Sequence, residues 1–297
     1  MEIQQLKYFL QICDDLNYAT AADHLYISQQ ALRKSIKKLE DEIGLQLIYR
    51  KGNQLRLTPA GSSVRLHASS VMRDLERMDA SIALFKEESG HIELTIVLSN
   101  GGYERVADDI IEPYKKANPN VSIRTIEVPD LVGESYILHG MADIGFTFGP
   151  HDPAVFDYWT LISEPIYAMI NKSNPLAKRK RITVSDLKGQ QIGIADERFR
   201  IYYQFCSACR RAGFDPNIDF RGGDPYSVHH YSHVTDNITI TCGDFYGALA
   251  EGDQVVVPID GEGLLSHFNL IVRKGAEIDG NYLKFIEFAK QQYGIKG

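Results

Sequence analysis

The stretch "NYATAADHLYISQQALRKSIKKLEDEIG", from Asn17 to Gly44, sets two helical patterns almost back to back. Asn17 is a good N-cap, because its side-chain oxygen accepts from amides that lack an intrahelical partner. It opens a short helix holding Ala19, Ala21, Ala22 and Leu25. Tyr26 and Ile27 leave room only for a tight turn before Ser28, a second N-cap, starts a longer helix. There Leu32, Ile36, Leu39 and Ile43 recur every three or four residues, and Gly44 stops the pattern. A turn this short makes the helices cross steeply, and the small alanines let them approach closely. The expected unit is a helix-turn-helix.

The second helix has a polar face as well as an apolar one. Ser28, Gln29, Gln30, Arg33, Lys34 and Lys37 lie near its start and opposite the leucines, offering amide and cationic donors to base edges and phosphates of double-stranded DNA. Gln30 and Arg33 are the expected base readers. An ordinary amphipathic helix with a solvated basic face has the same pattern, so the flanks decide. Upstream, Ile3, Leu6, Phe9, Leu10 and Cys13 supply a third helix. Downstream, "LQLIYRKGNQLRLTPAG" predicts two short strands around Gly52 and Asn53, with Leu55 and Leu57 on one face and Arg56 on the other. This makes a winged helix-turn-helix in which Arg50, Lys51 and Arg56 hold phosphates without reading sequence.

A net charge of −7 opposes DNA binding until it is divided along the chain. Residues 28–56 carry seven Lys and Arg against three Asp and Glu, whereas residues 90–297 carry 20 basic against 27 acidic side chains. The nucleic-acid footprint is therefore expected at one end only. There is no charged-then-apolar signal segment and no run near the ~20 apolar residues a bilayer requires, so a cytoplasmic protein with no membrane partner is expected. The four cysteines, at 13, 206, 209 and 242, form no secreted disulfide framework.

Thr58-Pro59 has the grammar of a helix start. Beyond it Val64, Ala68, Val71, Leu75, Met78, Ile82 and Phe85 alternate spacings of four and three through about three heptads, and Ser89-Gly90 ends the run. Such a seam wants a partner helix. A homodimer through residues 59–89 would place two winged heads on one duplex; the alternative is packing on the chain's own C-terminal part.

From His91 strands alternate with helices, which predicts α/β layers. "HIELTIVLS", "VSIRTIEV" and "DIGFTF" read as strands, as do "PIYAMIN", "QQIGIA", "IDFRGG", "ITITC", "DQVVVP" and "FNLIVRK". Helices are expected in "YERVADDIIEPYKKANP", from Phe199 to Ala212 and from Asp279 to Tyr293. Open α/β sheets bind ligands at the carboxyl ends of strands. Those ends hold Ser99, Asn100 and Gly101, then Thr147, Phe148 and Gly149, then Arg198 and Phe199, and finally Thr241. Cys206-x-x-Cys209 with His229, His230 and His233 invites a zinc reading, but the pair falls inside an expected helix and no second pair accompanies it. No metal, cofactor or catalytic constellation is expected, and neither a phosphate loop nor a nucleophile elbow occurs.

Taken together, the alanine pair, Ser28-Gln29, Ile36, Leu39-Glu40, Gly44, Leu47, Arg50, Leu57-Thr58 and Ala60-Gly61 resemble the N-terminal signature of the LysR-type transcriptional regulators. The match departs at Gln30, Arg33 and Ile48, where that family more often has proline, serine and phenylalanine; the first two departures bear on which DNA is read, not on the class. The resemblance implies residues 1–58 as the winged domain, 59–89 as a dimerising linker helix and 90–297 as a two-lobed α/β effector-binding domain resembling periplasmic binding proteins. It implies that lobe one is 91–163 plus 267–297, that lobe two is 164–266, and that hinge strands lie near Ser163 and His267. It also implies an effector cleft between the lobes, a tetramer built from two dimers, and RNA polymerase as a further partner. Ser99 to Gly101 at a helix start and the guanidinium of Arg198 then predict a small organic effector that is anionic. The competing expectation is a cytoplasmic solute-binding or enzymatic α/β protein with an N-terminal interaction domain.

Overall fold

Asn17 and Ser28 both cap their helices, accepting the amides of Ala19 at 2.8 Å and Ala31 at 3.1 Å. The computed structural model describes residues 1–52, 54–85, 92–242, 252–276 and 280–295. Two compact units result, Met1–Ile92 with His139–Met141, and Glu93–Leu138 with Ala142–Gly297.

In the first unit α1 (Ile3–Asp15), α2 (Tyr18–His24) and α3 (Gln29–Ile43) precede the hairpin of β1 (Ile48–Lys51) and β2 (Gln54–Leu57). The strands pair antiparallel, Ile48 opposite Leu57 and Lys51 opposite Gln54. Phe9, Ala21, Leu32, Leu39 and Leu47 are fully buried and form one core. Gly44 ends α3 in the left-handed region, at φ 75°, where a side chain is strained. Glu40 locks the wing onto α3, because its Oε1 accepts the amides of Leu47 at 2.7 Å and Ile48 at 3.1 Å. Gly61 is required by contact: a Cβ there would stand 2.1 Å from the Leu47 carbonyl oxygen.

The long helix α4 (Pro59–Phe85) begins where Thr58 Oγ1 accepts the Gly61 amide at 2.9 Å. Its apolar stripe divides. Val64 and Ala68 pack into the first unit's own core, whereas Val71 and Met78 are 41% and 51% exposed. The side chains of Ile82 and Phe85 lie outside the described residues, as do Ser89-Gly90, Asn53 and Asp279.

The second unit is built on a sheet ordered β4-β3-β5-β12-β6-β10-β8-β9, in which β11 pairs with both β6 and β7. These strands are β3 (Ile92–Ser99), β4 (Val121–Val128), β5 (Ile144–Phe148), β6 (Phe156–Asn171), β7 (Ile182–Thr183), β8 (Gln191–Ala195), β9 (Asn217–Gly222), β10 (Ile238–Cys242), β11 (Gln254–Asp260) and β12 (Leu265–Arg273). Between them lie α5 (Tyr103–Val106), α6 (Glu112–Ala117), α7 (Asp130–Leu138), α8 (Arg200–Arg211) and α9 (Pro225–Thr235), with α10 (Gly280–Gln292) last. The central element is β6. Its first part pairs with β12, Ser163 opposite His267, and its second part pairs with β10 and β11. One strand thus belongs to both halves of the unit, the half around β3, β5 and β12 and the half around β8, β9 and β10. The chain returns to the first half at its end, where Phe285 of α10 packs edge-on against Tyr114 and Phe146.

Two expectations are corrected here, and one helix appears that was not expected. The strand expected from Pro165 begins at Phe156, because "FDYWTLISE" alternates exposed and half-buried positions and shows no apolar run. The single helix expected from Tyr103 is broken by a π turn over Ala107–Ile111, just ahead of Pro113, which has no amide to continue an α ladder. His229, His230 and His233 stand on α9, a helix the hydrophobic spacing does not reveal because it buries only Val228 and Ser232.

Candidate DNA-reading face and effector pocket

On α3 the residues Gln29, Gln30, Arg33, Lys34 and Lys37 are all exposed, and their spacing puts them on one face of the helix. Ser28 is spent on the cap. Lys38, on another face, is bound to Glu2 at 2.7 Å. The Arg33 guanidinium lies 4.2 Å from the centre of the Tyr18 ring, which supports the side chain from below. On the hairpin Arg50, Lys51 and Arg56 are exposed, and Arg56 Nη2 reaches Gln54 Oε1 at 3.4 Å. One residue at this surface escaped the sequence reading. Tyr26, at the apex of the turn before α3, is 95% exposed with φ 53°. A large aromatic held in the left-handed region and in water is strained and uncovered at once.

In the second unit the strand ends converge on a pocket. Asn100 follows β3, Phe148 ends β5, Phe199 precedes α8, and Thr241 lies on β10; all four line it. The remaining wall comes from Met169, Gln204, Val228, His229, Cys242 and Ser266, among others, and from Asp130. The cavity volume is about 40 Å³, room for a few waters or a small polar head.

Asp130 is the residue that sets the pocket's chemistry. It is buried, accepts the Ser99 hydroxyl at 2.5 Å and takes the Arg200 backbone amide at 2.9 Å, at the start of α8. Burial pushes its carboxyl up to about 6, against the pull of those two donors. Behind it Glu134 accepts Arg200 Nε at 3.1 Å and Nη2 at 2.6 Å, and lies 2.8 Å from His151 Nδ1. Burial alone would raise the Glu134 carboxyl, but the bonds from His151 and Arg200 hold it below its ordinary value. The strand-end rule also points to Asp130, two residues past the end of β4, when it is applied to "VSIRTIEV".

Five expected pocket residues lie elsewhere. Ser99 is buried with its hydroxyl committed to Asp130. Gly101 lies off the wall at φ 77°. Thr147 is fully buried, 3.4 Å from His151 Nε2, and the Gly149 amide donates to the His267 carbonyl at 2.8 Å. Arg198 is outside the pocket because its fork closes on its own neighbour: Nε reaches Asp196 Oδ1 at 3.0 Å and Nη2 reaches Oδ2 at 2.6 Å. That bond also holds the Asp196 carboxyl below its ordinary value. The Arg198 fork is thereby engaged within the protein, and among the described residues no lysine or arginine lines the pocket.

The cysteines are shielded. Burial pushes Cys209 up to about 12 and raises Cys206, while Cys242, on the pocket wall, reaches about 12 through burial with the charge of Asp130 adding to it. Such thiols stay protonated near neutral pH. Among the described residues no group of three or more His, Cys, Asp or Glu is placed to hold a metal ion, and no helix is long and apolar enough to cross a membrane.

Residues 3–62 match the family described as "Bacterial regulatory helix-turn-helix protein, lysR family", and residues 86–294 match "LysR substrate binding domain". The chain belongs to the LysR family. This LysR-type protein is a DNA-binding transcriptional regulator with an effector-binding domain, and the expectation of an enzyme falls away, since its relatives are regulators. The transcriptional regulator AlsR of Bacillus subtilis (strain 168) is 29% identical over 221 residues, 73% of this chain and 72% of that protein. The transcriptional dual regulator GltC of the same organism is 24% identical over 297 residues, 98% of this chain and 97% of its own. Among solved structures the LysR family regulator CbnR shares the fold with a TM-score of 0.70 at 19% identity, over 99% of both chains.

Proposed function

We propose that α3 enters the major groove with Gln30 and Arg33 reading base edges, while Lys34, Lys37, Arg50, Lys51 and Arg56 hold phosphates on either side. The observation that carries this reading is the uncommitted polar face of α3, flanked by a wing that Glu40 fixes in place. CbnR has been solved in complex with its target DNA, which lends the reading support by fold alone. Two heads joined through the exposed half of the α4 stripe would read two half-sites, and two such dimers would make a tetramer. The pocket around Asp130 and Thr241 receives the effector. Because β6 belongs to both halves of the sheet, an effector that prefers one arrangement of those halves shifts the population of that arrangement, and with it DNA bending or contact with RNA polymerase. Binding to chromosomal DNA supports a cytoplasmic protein.

Footprinting on the DNA beside the protein's own gene tests the proposal. A protected site with two-fold symmetry is expected, lost together with Gln30→Ala and Arg33→Ala. Protection that spreads evenly over unrelated DNA would reduce α3 to a non-specific basic helix.

A further inference from the structure

Two buried acceptors meet on one part of the pocket's wall, beside the polar side chains of Gln204, His229, Thr241 and Ser266. Among the described residues Asp130 is the carboxyl group that lines it, and a carboxylate offers about four acceptor positions, of which Ser99 and the Arg200 amide use two. Asn100 Oδ1 is buried on the same wall and receives no donor. An unpaired buried acceptor is costly, so this oxygen wants a donor from whatever enters. Two guanidiniums stand behind the wall, and each is committed to a carboxylate of its own. Arg105 pairs with Glu164 at 2.8 Å while lying 5.5 Å from the Phe148 ring centre, and Arg200 pairs with Glu134. Phe148 and Phe199 add apolar and π surface to the same space.

The place a ligand carboxylate would take is also filled from within. Ser99 and the first amide of α8 are the donors such a group would seek, and the side chain of Asp130 already holds both. A second carboxylate brought against it meets a like charge in a poorly solvated space. A donor with positive charge meets the opposite situation.

We infer that the effector is a small organic cation, a primary amine on a short apolar or aromatic body, whose ammonium group donates to Asp130 and Asn100 Oδ1 while its body lies against Phe148 and Phe199. This rests on the reading of the pocket as the effector site. Ammonium supplies three donors and no acceptor, which matches a wall offering carboxylate and amide oxygens. The aromatic faces add cation–π attraction.

Two matched series test it on the full chain: benzylamine, benzyl alcohol and benzoate, and butylamine, butanol and butyrate. Thermal shift and calorimetry read binding at constant ionic strength. The amines are expected to raise the melting temperature and to bind roughly tenfold or more tighter than the alcohols. Asp130→Asn should abolish that preference. Because Asp130 also caps α8, Asn100→Ala is the second variant; its own oxygen supports nothing in the fold, and it should weaken the amines several-fold with no loss of unliganded melting temperature. Alcohols or carboxylates that bind as tightly as the amines would overturn the cationic class and leave the pocket as effector site. Amines that bind equally to wild type and both variants would overturn the inference too, since they would be bound elsewhere. If no member of either series binds, both the class and the pocket reading fail.

Discussion

Glu134 on α7 and Arg200 on α8 are joined through two guanidinium nitrogens, Nε to Oε1 at 3.1 Å and Nη2 to Oε2 at 2.6 Å. Two backbone contacts run beside them: the Arg200 amide donates to Asp130, and the Leu131 amide donates to the Arg198 carbonyl at 3.1 Å. The start of α7 and the start of α8 thus form one latch next to the pocket. They belong to the two different halves of the sheet, so whatever loosens this latch frees the halves to move about β6.

Arg200→Ala leaves the Glu134 carboxylate buried with only His151 beside it. Breaking a buried pair by removing one partner costs about 3 to 5 kcal/mol, and the Arg200 side chain is 25% exposed, so the lower end, about 3 kcal/mol, is expected. Urea unfolding followed through Trp159, the chain's one tryptophan, measures it. Arg200→Lys should recover only part of the loss, because an ammonium cannot make the two-nitrogen contact. A loss below about 1 kcal/mol would mean the pair behaves as a surface bridge.

Asp130 makes stability depend on pH in the sense opposite to most acids. Its carboxyl is raised in the folded state from 3.8 to about 6, so the folded protein binds the proton more tightly than the unfolded chain does. The resulting stability is full below about pH 4 and is lost as pH rises through about 6. About two pH units correspond to about 3 kcal/mol. The difference in stability between wild type and Asp130→Asn should therefore shift against wild type between pH 4 and pH 7. A difference that stays flat over that range would show that Asp130 keeps an ordinary carboxyl.

Local grammar made the first sixty residues legible. Asn17, Ser28, Gly44 and Thr58-Pro59 each act through a neighbour two to four positions away, and such signals survive without tertiary knowledge. The pocket was half legible for the opposite reason. Strand ends named Asn100, Phe148, Phe199 and Thr241, but which of their neighbours face the cavity depends on partners far along the chain. Ser99 turns to Asp130, 31 positions away, and Arg198 turns to Asp196 and the Gly223 carbonyl. Nothing in "ADERFR" distinguishes an arginine that grips a ligand from one that grips the residue two before it. The first part of β6, from Phe156 to Glu164, is not legible because it alternates exposed and half-buried positions and has no apolar run to betray it.

Arg33 and Lys51 should respond differently to truncation. Arg33 is held against Tyr18 on the exposed face of α3, and Arg33→Ala is expected to relax base preference at one position per half-site at a cost of about 1 to 3 kcal/mol. Lys51→Ala on the wing should weaken all sequences evenly and reduce the salt slope by about one ion. Binding measured against a library of operator variants separates the two. A uniform loss for Arg33→Ala would make it a phosphate contact.

Tyr26 carries strain for an exposed ring, and strain kept at a surface that meets a ligand is a mark of use. Tyr26→Gly removes the side chain and suits φ 53°, so thermal stability should be unchanged or rise by up to about 1 kcal/mol. DNA affinity should fall at the same time, because the phenol stands at the entrance of α3. Unchanged operator affinity in the glycine variant would leave the strain without a function.

The α4 stripe allows a test that its own division sharpens. Val64 and Ala68 are engaged in the first unit's core, while Val71 and Met78 are exposed and Leu75 lies half-buried between them. If the exposed half is a dimer seam, Leu75→Asp places a carboxylate where a partner helix would have to desolvate it. Dimers should then dissociate at concentrations where wild type is fully assembled, while Ala68→Ser, in the engaged half, should lower thermal stability without changing assembly. Sedimentation velocity reads both. An unchanged oligomer for Leu75→Asp, alongside normal melting, would assign subunit contacts to another surface.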